Sequence, residues 1–168
     1  RISDSITTNT GRIDAYKAVI EKASDDNLLF TPRKKNTLLS EVYDILSSEY
    51  YEVKQVDNAI ANSTLAIVLN EANQQAYYNR ACIYQSIGKD SLAIIDYTKS
   101  LMYNDKYVDS YYNRGIIYEK QTDFQLAIED YSKAINLSPV YLVDVYNNRG
   151  NVYQEMNFLD KAISDYDK

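Results

Sequence analysis

The sequence has no histidine, no tryptophan and a single cysteine, Cys82. Without histidine the commonest metal ligand and general base is missing, and one cysteine excludes both an intramolecular disulfide framework and a multi-cysteine metal site. Prolines number two and glycines four in 168 residues, which leaves little material for turns and favours long elements joined by short connections, hence helices. No stretch approaches the roughly 20 apolar residues of a membrane helix, and Arg1-Ile2-Ser3-Asp4 does not begin a signal peptide, so membrane insertion is not expected and the compartment leans cytoplasmic. No nucleophile, base and metal constellation can be assembled: catalytic residues, metal and cofactor are all expected to be none, and the chain is not expected to be an enzyme.

What is present is tyrosine, eighteen against three phenylalanines, so apolar positions are filled largely by rings whose hydroxyl must reach water or a partner. Charge is uneven. Residues 1–39 hold seven Lys/Arg and five Asp/Glu, whereas residues 40–168 hold eleven and nineteen, a net −8 against −6 for the whole chain. A surface of that sign repels phosphate backbones, and Arg33, Lys34 and Lys35 are too short a basic run to reverse it, so nucleic acid is not an expected partner.

The chain repeats. Ala59, Ala93, Ala127 and Ala162 stand 34, 34 and 35 residues apart, each nine residues after a tyrosine: Tyr50, Tyr84, Tyr118 and Tyr153. The segments Tyr77–Tyr84, Tyr111–Tyr118 and Tyr146–Tyr153 are near copies, and Tyr97, Tyr131 and Tyr166 each follow an alanine by four. Within Tyr111–Tyr118, Tyr111, Gly115 and Tyr118 lie at offsets of four and seven, one face of a helix. Ala81, Gly115 and Gly150 are expected to face Ala93, Ala127 and Ala162 one helix later, letting paired helices approach closely.

This pattern resembles the tetratricopeptide repeat, with an aromatic, a small residue and tyrosine on a first helix, then alanine, aromatic and alanine on a second. Tyr111, Gly115, Tyr118, Ala127, Tyr131, Ala134 and Pro139 form the fullest copy. The resemblance implies an all-α, right-handed α-solenoid of antiparallel helix pairs: a divergent copy at 40–73 with Ser63 where the aromatic belongs, copies at 74–107 and 108–142, and one at 143–168 that stops in its second helix. Arg80, Arg114 and Arg149 replace the usual leucine, with stems expected to pack and heads to reach out. Residues 1–39 are an N-terminal segment in which Ile13, Tyr16, Val19 and Ile20 suggest a capping helix from about Arg12 to Ala23, preceded by a poorly ordered stretch over 1–10. Thr31-Pro32 marks a start for a long helix bearing Tyr43. A chain that opens without methionine and stops within a repeat is expected to be a piece of a longer array.

By the resemblance, first helices line a concave groove. Its expected contact residues are Tyr78, Asn79 and Cys82, then Asp109, Tyr112 and Asn113, then Asp144, Asn147, Asn148 and Asn151. The recurring Asn79, Asn113 and Asn148 could each accept from and donate to a peptide backbone, or could serve the helix framework instead. The family's C-terminal carboxylate clamp needs lysines where this chain has Asp109 and Asp144, so a neutral or basic protein segment is the expected partner. A non-enzymatic protein-interaction scaffold is the implied function. The alternative is a self-assembly element associating through the last helix.

Overall fold

The computed structural model describes residues 2–24, 31–137 and 142–168. They form nine helices in chain order: α1 (Ile2–Ser24), α2 (Pro32–Glu52), α3 (Val56–Leu69), α4 (Gln74–Ser86), α5 (Asp90–Tyr103), α6 (Val108–Lys120), α7 (Phe124–Leu137), α8 (Leu142–Glu155) and α9 (Leu159–Tyr166), with no strand among the described residues. Two compact units divide the chain, residues 1–87 and 88–168.

In the first unit α1 packs on α2, α2 pairs with α3, and α4 lies against both. Ile13, Leu46, Tyr50, Ala59 and Ile83 make the core, with Tyr16 and Ile20 of α1 packed onto it. Of the stripe read from Ile13, Tyr16, Val19 and Ile20, Ile13, Tyr16 and Ile20 lie against the helix layer, whereas Val19 is 41% exposed. The helix carrying the stripe begins ten residues earlier than Arg12, through a Ser/Thr/Asn-rich stretch that holds weak helix formers but no proline to end it. α2 begins at Pro32, with the Thr31 hydroxyl accepting from the Lys34 N–H, and its 21 residues exceed the 13 of α4 and α6.

Where later copies carry alanine or glycine and then tyrosine, the α2/α3 pair carries Ser47 and Ser63. Both are fully buried, with hydroxyls 2.5 Å apart, and Ser47 also donates to the Ala59 carbonyl. Two small polar residues satisfying each other thus replace a ring seated on a glycine.

The second unit stacks α5 to α9 consecutively. Its core gathers Ala127, Tyr131, Ala134, Val145 and Val152, flanked by Tyr111, Tyr118, Phe124 and Ile128. The nearest neighbour of Gly115 across the helix pair is the Tyr131 ring. A Cβ there would lie 2.8 Å from the Tyr131 ring, and one at Gly150 would lie 2.6 Å from Tyr166. The small residue makes room for the aromatic four residues beyond the alanine.

Every first-to-second helix turn carries one left-handed residue in register with the repeat: Lys54 (φ 63°), Gly88 (φ 73°), Thr122 (φ 63°) and Asn157 (φ 62°). Around three of them the backbone closes a Schellman motif. Gln55, Asp123 and Phe158 donate to Tyr50, Tyr118 and Tyr153, and Lys54, Thr122 and Asn157 donate to Tyr51, Glu119 and Gln154. Three of the four phase-setting tyrosines, Tyr50, Tyr118 and Tyr153, are thus the carbonyl acceptors that end their helices. At the other turn type, Asn70 and Asn104 end α3 and α5, their side chains accepting from the N–H of Ala72 and Lys106. Pro139, expected to end the third copy, lies outside the described residues.

Candidate functional site

In the second unit the first-type helices α6 and α8 touch directly, and between them lies a cavity of about 120 Å³ lined by Val108, Asp109, Tyr112, Asp144 and Val145. Asp109 and Asp144 occupy the first turns of their helices, where a carboxylate complements the positive end of the helix dipole. Tyr112 stands one helical turn on from Asp109. Its ring lies 6.1 Å from that of Tyr131, and its hydroxyl accepts from the Asn148 amide at 3.3 Å. Burial pushes the Tyr112 phenol above its ordinary pKa, and the Asp144 carboxylate pushes it further in the same direction. Tyr131 is fully buried behind this wall and donates to Glu119 at 2.5 Å.

Of the residues expected at the contact face, Asp109, Tyr112 and Asp144 therefore converge on one cavity, with Asn148 behind Tyr112. Asn113 is half-buried on α6, and Asn147 is exposed on α8. Asn151 is turned toward α9, accepting from the Tyr166 hydroxyl at 2.9 Å.

In the first unit Asn79 and Cys82 share a shallow cavity of about 140 Å³ with Ser47, Ser48, Tyr51, Glu52 and Ile83, while Tyr78 is half-buried beside them on α4. The Asn79 amide donates to Asp44 at 2.8 Å and its carbonyl accepts from Gln75 at 3.0 Å. Asn79 and Asn148 thus make the same link, each reaching back 35 or 36 residues to the preceding first-type helix. The acceptor is a carboxylate in one case and a phenol in the other.

Two features escaped the sequence reading. Asp44 is a buried carboxylate whose pKa burial raises to about 6, with the Asn79 hydrogen bond pulling the other way. It stands where Tyr78 and Tyr112 stand in later copies, so periodicity gave no hint of an acid there. The second is the arginine. Arg114 makes a bidentate pair with Asp130 at 2.7 and 2.8 Å, sits over the Tyr111 and Tyr118 rings, and donates to Thr98 of the preceding helix. Arg149 does the same with Asp165, the Tyr146 and Tyr153 rings and Ser132. Their heads therefore turn inward, not out, because a buried aspartate three residues after each alanine awaits them. That signal was present in the spacing of Asp96, Asp130 and Asp165.

Among the described residues no three His, Cys, Asp or Glu side chains converge as a metal site, and no helix is long and apolar enough to cross a membrane.

Sequence models of the tetratricopeptide repeat match residues 74–107, 108–141 and 143–168, together more than half of the chain. No curated protein matches it in sequence. Among solved structures, a crystal structure of MamA is 26% identical with a TM-score of 0.79, covering 99% of this chain and 91% of that one. The Arabidopsis OM64 TPR domain is 28% identical with a TM-score of 0.66, over 71% of this chain and 98% of that domain. The first TPR of Spaghetti (RPAP3), solved bound to the HSP90 peptide SRMEEVD, shares the fold at 21% identity and a TM-score of 0.68, over 72% and 95% of the two chains.

Proposed function

The chain belongs to the tetratricopeptide repeat family, whose members are generally non-enzymatic protein-interaction scaffolds, and on that premise we propose that it holds a peptide or helix of a partner protein against the first-type helices. The observation that carries this reading is the convergence of Asp109, Tyr112 and Asp144, with Asn148 behind Tyr112, on one cavity between α6 and α8. A tyrosine with few rotatable bonds supplies flat contact area at low entropic cost. The repeat-bearing RPAP3 domain, solved with a bound peptide, is a structural precedent for the fold as a peptide holder. In the first unit we read α2 and α3 as a divergent repeat, since Ser47 and Ser63 occupy the positions of the small residue and the aromatic.

The test is to select a displayed random-peptide library on the chain and measure each selected peptide against Tyr112→Ala with Asn148→Ala, after matching helicity by circular dichroism. Loss of about tenfold or more in affinity supports the face. Undiminished binding removes it.

A second reading has its own observation. α9 leaves Leu159, Ile163 and Tyr166 at 55%, 58% and 42% exposure while burying Ala162 and Asp165. These side chains correspond to Phe124, Ile128 and Tyr131, which pack in the core of the second unit. Self-association through that face predicts a concentration-dependent sedimentation coefficient that Leu159→Glu with Ile163→Glu abolishes. A wild-type chain that sediments as a monomer at every concentration sinks this reading.

A further inference from the structure

We propose that the cavity between α6 and α8 receives one lysine or arginine side chain of the bound peptide, its aliphatic stem against Val108, Val145 and the Tyr112 ring and its cationic head between the Asp109 and Asp144 carboxylates. The inference rests on the peptide-holding reading and names what that face selects.

Size comes first. A cavity of about 120 Å³ is well below the several hundred Å³ of a small-molecule site, and suits a single side chain. Its chemistry is divided in the way a basic side chain is divided. Two valines and an aromatic ring make an apolar wall that a methylene stem can cover, and the two carboxylates are exposed where the stem would end. The Tyr112 ring adds a face over which a cation is attracted. A bare divalent ion is a poor occupant, since it needs several oxygen ligands and three of the five lining residues offer carbon surface or a ring.

The acids of this unit also sort themselves. Asp130 and Asp165 are neutralised by Arg114 and Arg149, and Asp90 by Lys120. Asp109 and Asp144, among the described residues, have no ion-pair partner, although they stand at equivalent positions of successive repeats and line the same cavity. Beside the apolar wall, therefore, stand two exposed carboxylates that no internal cation neutralises. The equivalent residues in the first unit are Glu41 and Gln75, so a pair of acids at this position belongs to the second unit alone. An acidic peptide would bring like charge onto both carboxylates, and a neutral one would leave them uncompensated.

The displayed random-peptide library supplies the test, panned in parallel on the wild-type chain and on Asp109→Asn with Asp144→Asn, a pair of exposed substitutions that leave the packing intact. The expected result is enrichment of lysine and arginine in peptides selected on the wild type, loss of that enrichment on the double variant, and an affinity drop of about tenfold or more for each selected peptide. Replacing the enriched basic residue by norleucine, which keeps the stem and removes the charge, should reproduce the drop. Peptides that lose affinity on Tyr112→Ala with Asn148→Ala yet show no basic enrichment, or bind the double asparagine variant equally, overturn the basic anchor and leave the peptide-holding face standing. Selected peptides indifferent to all four substitutions, or no enrichment of any peptide, overturn both.

Discussion

Gly115 shows how tightly a single residue is held. The atoms an added methyl would meet are the Tyr131 ring at 2.8 and 2.9 Å and the Asp130 Cβ at 3.4 Å. Tyr131 is fully buried and tied to Glu119, so it cannot swing away. Gly115→Ala should therefore lose stability, by about 1–3 kcal/mol of overpacking that outweighs the roughly 1 kcal/mol alanine gains in a helix. Gly150→Ala meets Tyr166, which is 42% exposed and tied only to the exposed Asn151 and Gln154 side chains, so it can yield outward more cheaply and the cost in urea denaturation should be clearly smaller. Equal losses would mean that the ring contact does not decide the glycine. Asp44 is the second residue with a definite expectation. Its folded pKa, raised by burial to about 6, lies above the ordinary 3.8, so the protonated form is the one the fold favours. The stability it contributes is complete below about pH 4, falls as pH rises toward 6 and is gone above that, at a cost on the order of 1–3 kcal/mol. Asp44→Asn keeps an oxygen acceptor for Asn79 and removes the charge. It should leave stability at pH 4 unchanged and raise it at pH 7.5, and a variant no more stable at pH 7.5 would contradict the assignment. The position of Gly115 was legible from its spacing, but its neighbour was not, because spacing along one helix says nothing of the rotation of the helix opposite. Asp44 was not legible at all: an acid inside a framework position is a departure from the repeat, and a repeat can be read only where it is kept.

At the scale of elements, legibility depended on whether the physical demand falls on side chain or backbone. Helix pairing, the long α2 and the tyrosine phase follow from side-chain periodicity and a proline-led start, and the structure has them. The turns are different. All four first-to-second helix turns carry a left-handed residue, which Gly88 and, more weakly, Asn157 signal in the sequence, while Lys54 and Thr122 adopt the same conformation under the closure of the helix pair. Thr122 is the least suited, since a β-branched residue at φ 63° crowds its own backbone. Relief of about 1–2 kcal/mol of left-handed strain, offset by the greater freedom of an unfolded glycine, leaves a net gain of roughly 0.5–1 kcal/mol for Thr122→Gly. Thermal unfolding should show a higher Tm for Thr122→Gly and a smaller rise for Lys54→Gly, whose side chain is unbranched. A fall in Tm at position 122 would show that the threonine side chain contributes more than its backbone costs. The same division explains the arginines. Their recurrence marked them as framework, but the direction of the head is set by Asp130 and Asp165 on the facing helix, a pairing visible only when both periodic series are set side by side.

For the whole molecule the sequence property with the longest reach is charge. Residues 40–168 carry a net −8, and the structure consumes part of the acid internally, through Arg114, Arg149 and Lys120. What remains, Asp109 and Asp144 included, projects a negative potential that acts over roughly a Debye length, about 10 Å at 0.1 M salt. Such a field speeds the approach of a cationic segment and slows an anionic one, while apolar contacts in the cavity govern how long the segment stays. The two contributions respond differently to ionic strength. For a basic peptide selected on the chain, the association rate measured by stopped flow should fall by about tenfold or more between low and roughly 0.5 M salt, with the dissociation rate changing by a smaller factor. For its norleucine counterpart the association rate should be lower at the outset and nearly flat over the same range. An association rate insensitive to salt for the basic peptide would mean that the acidic surface does not guide the encounter, and the recognition would then have to be carried by Tyr112 and the valine wall alone.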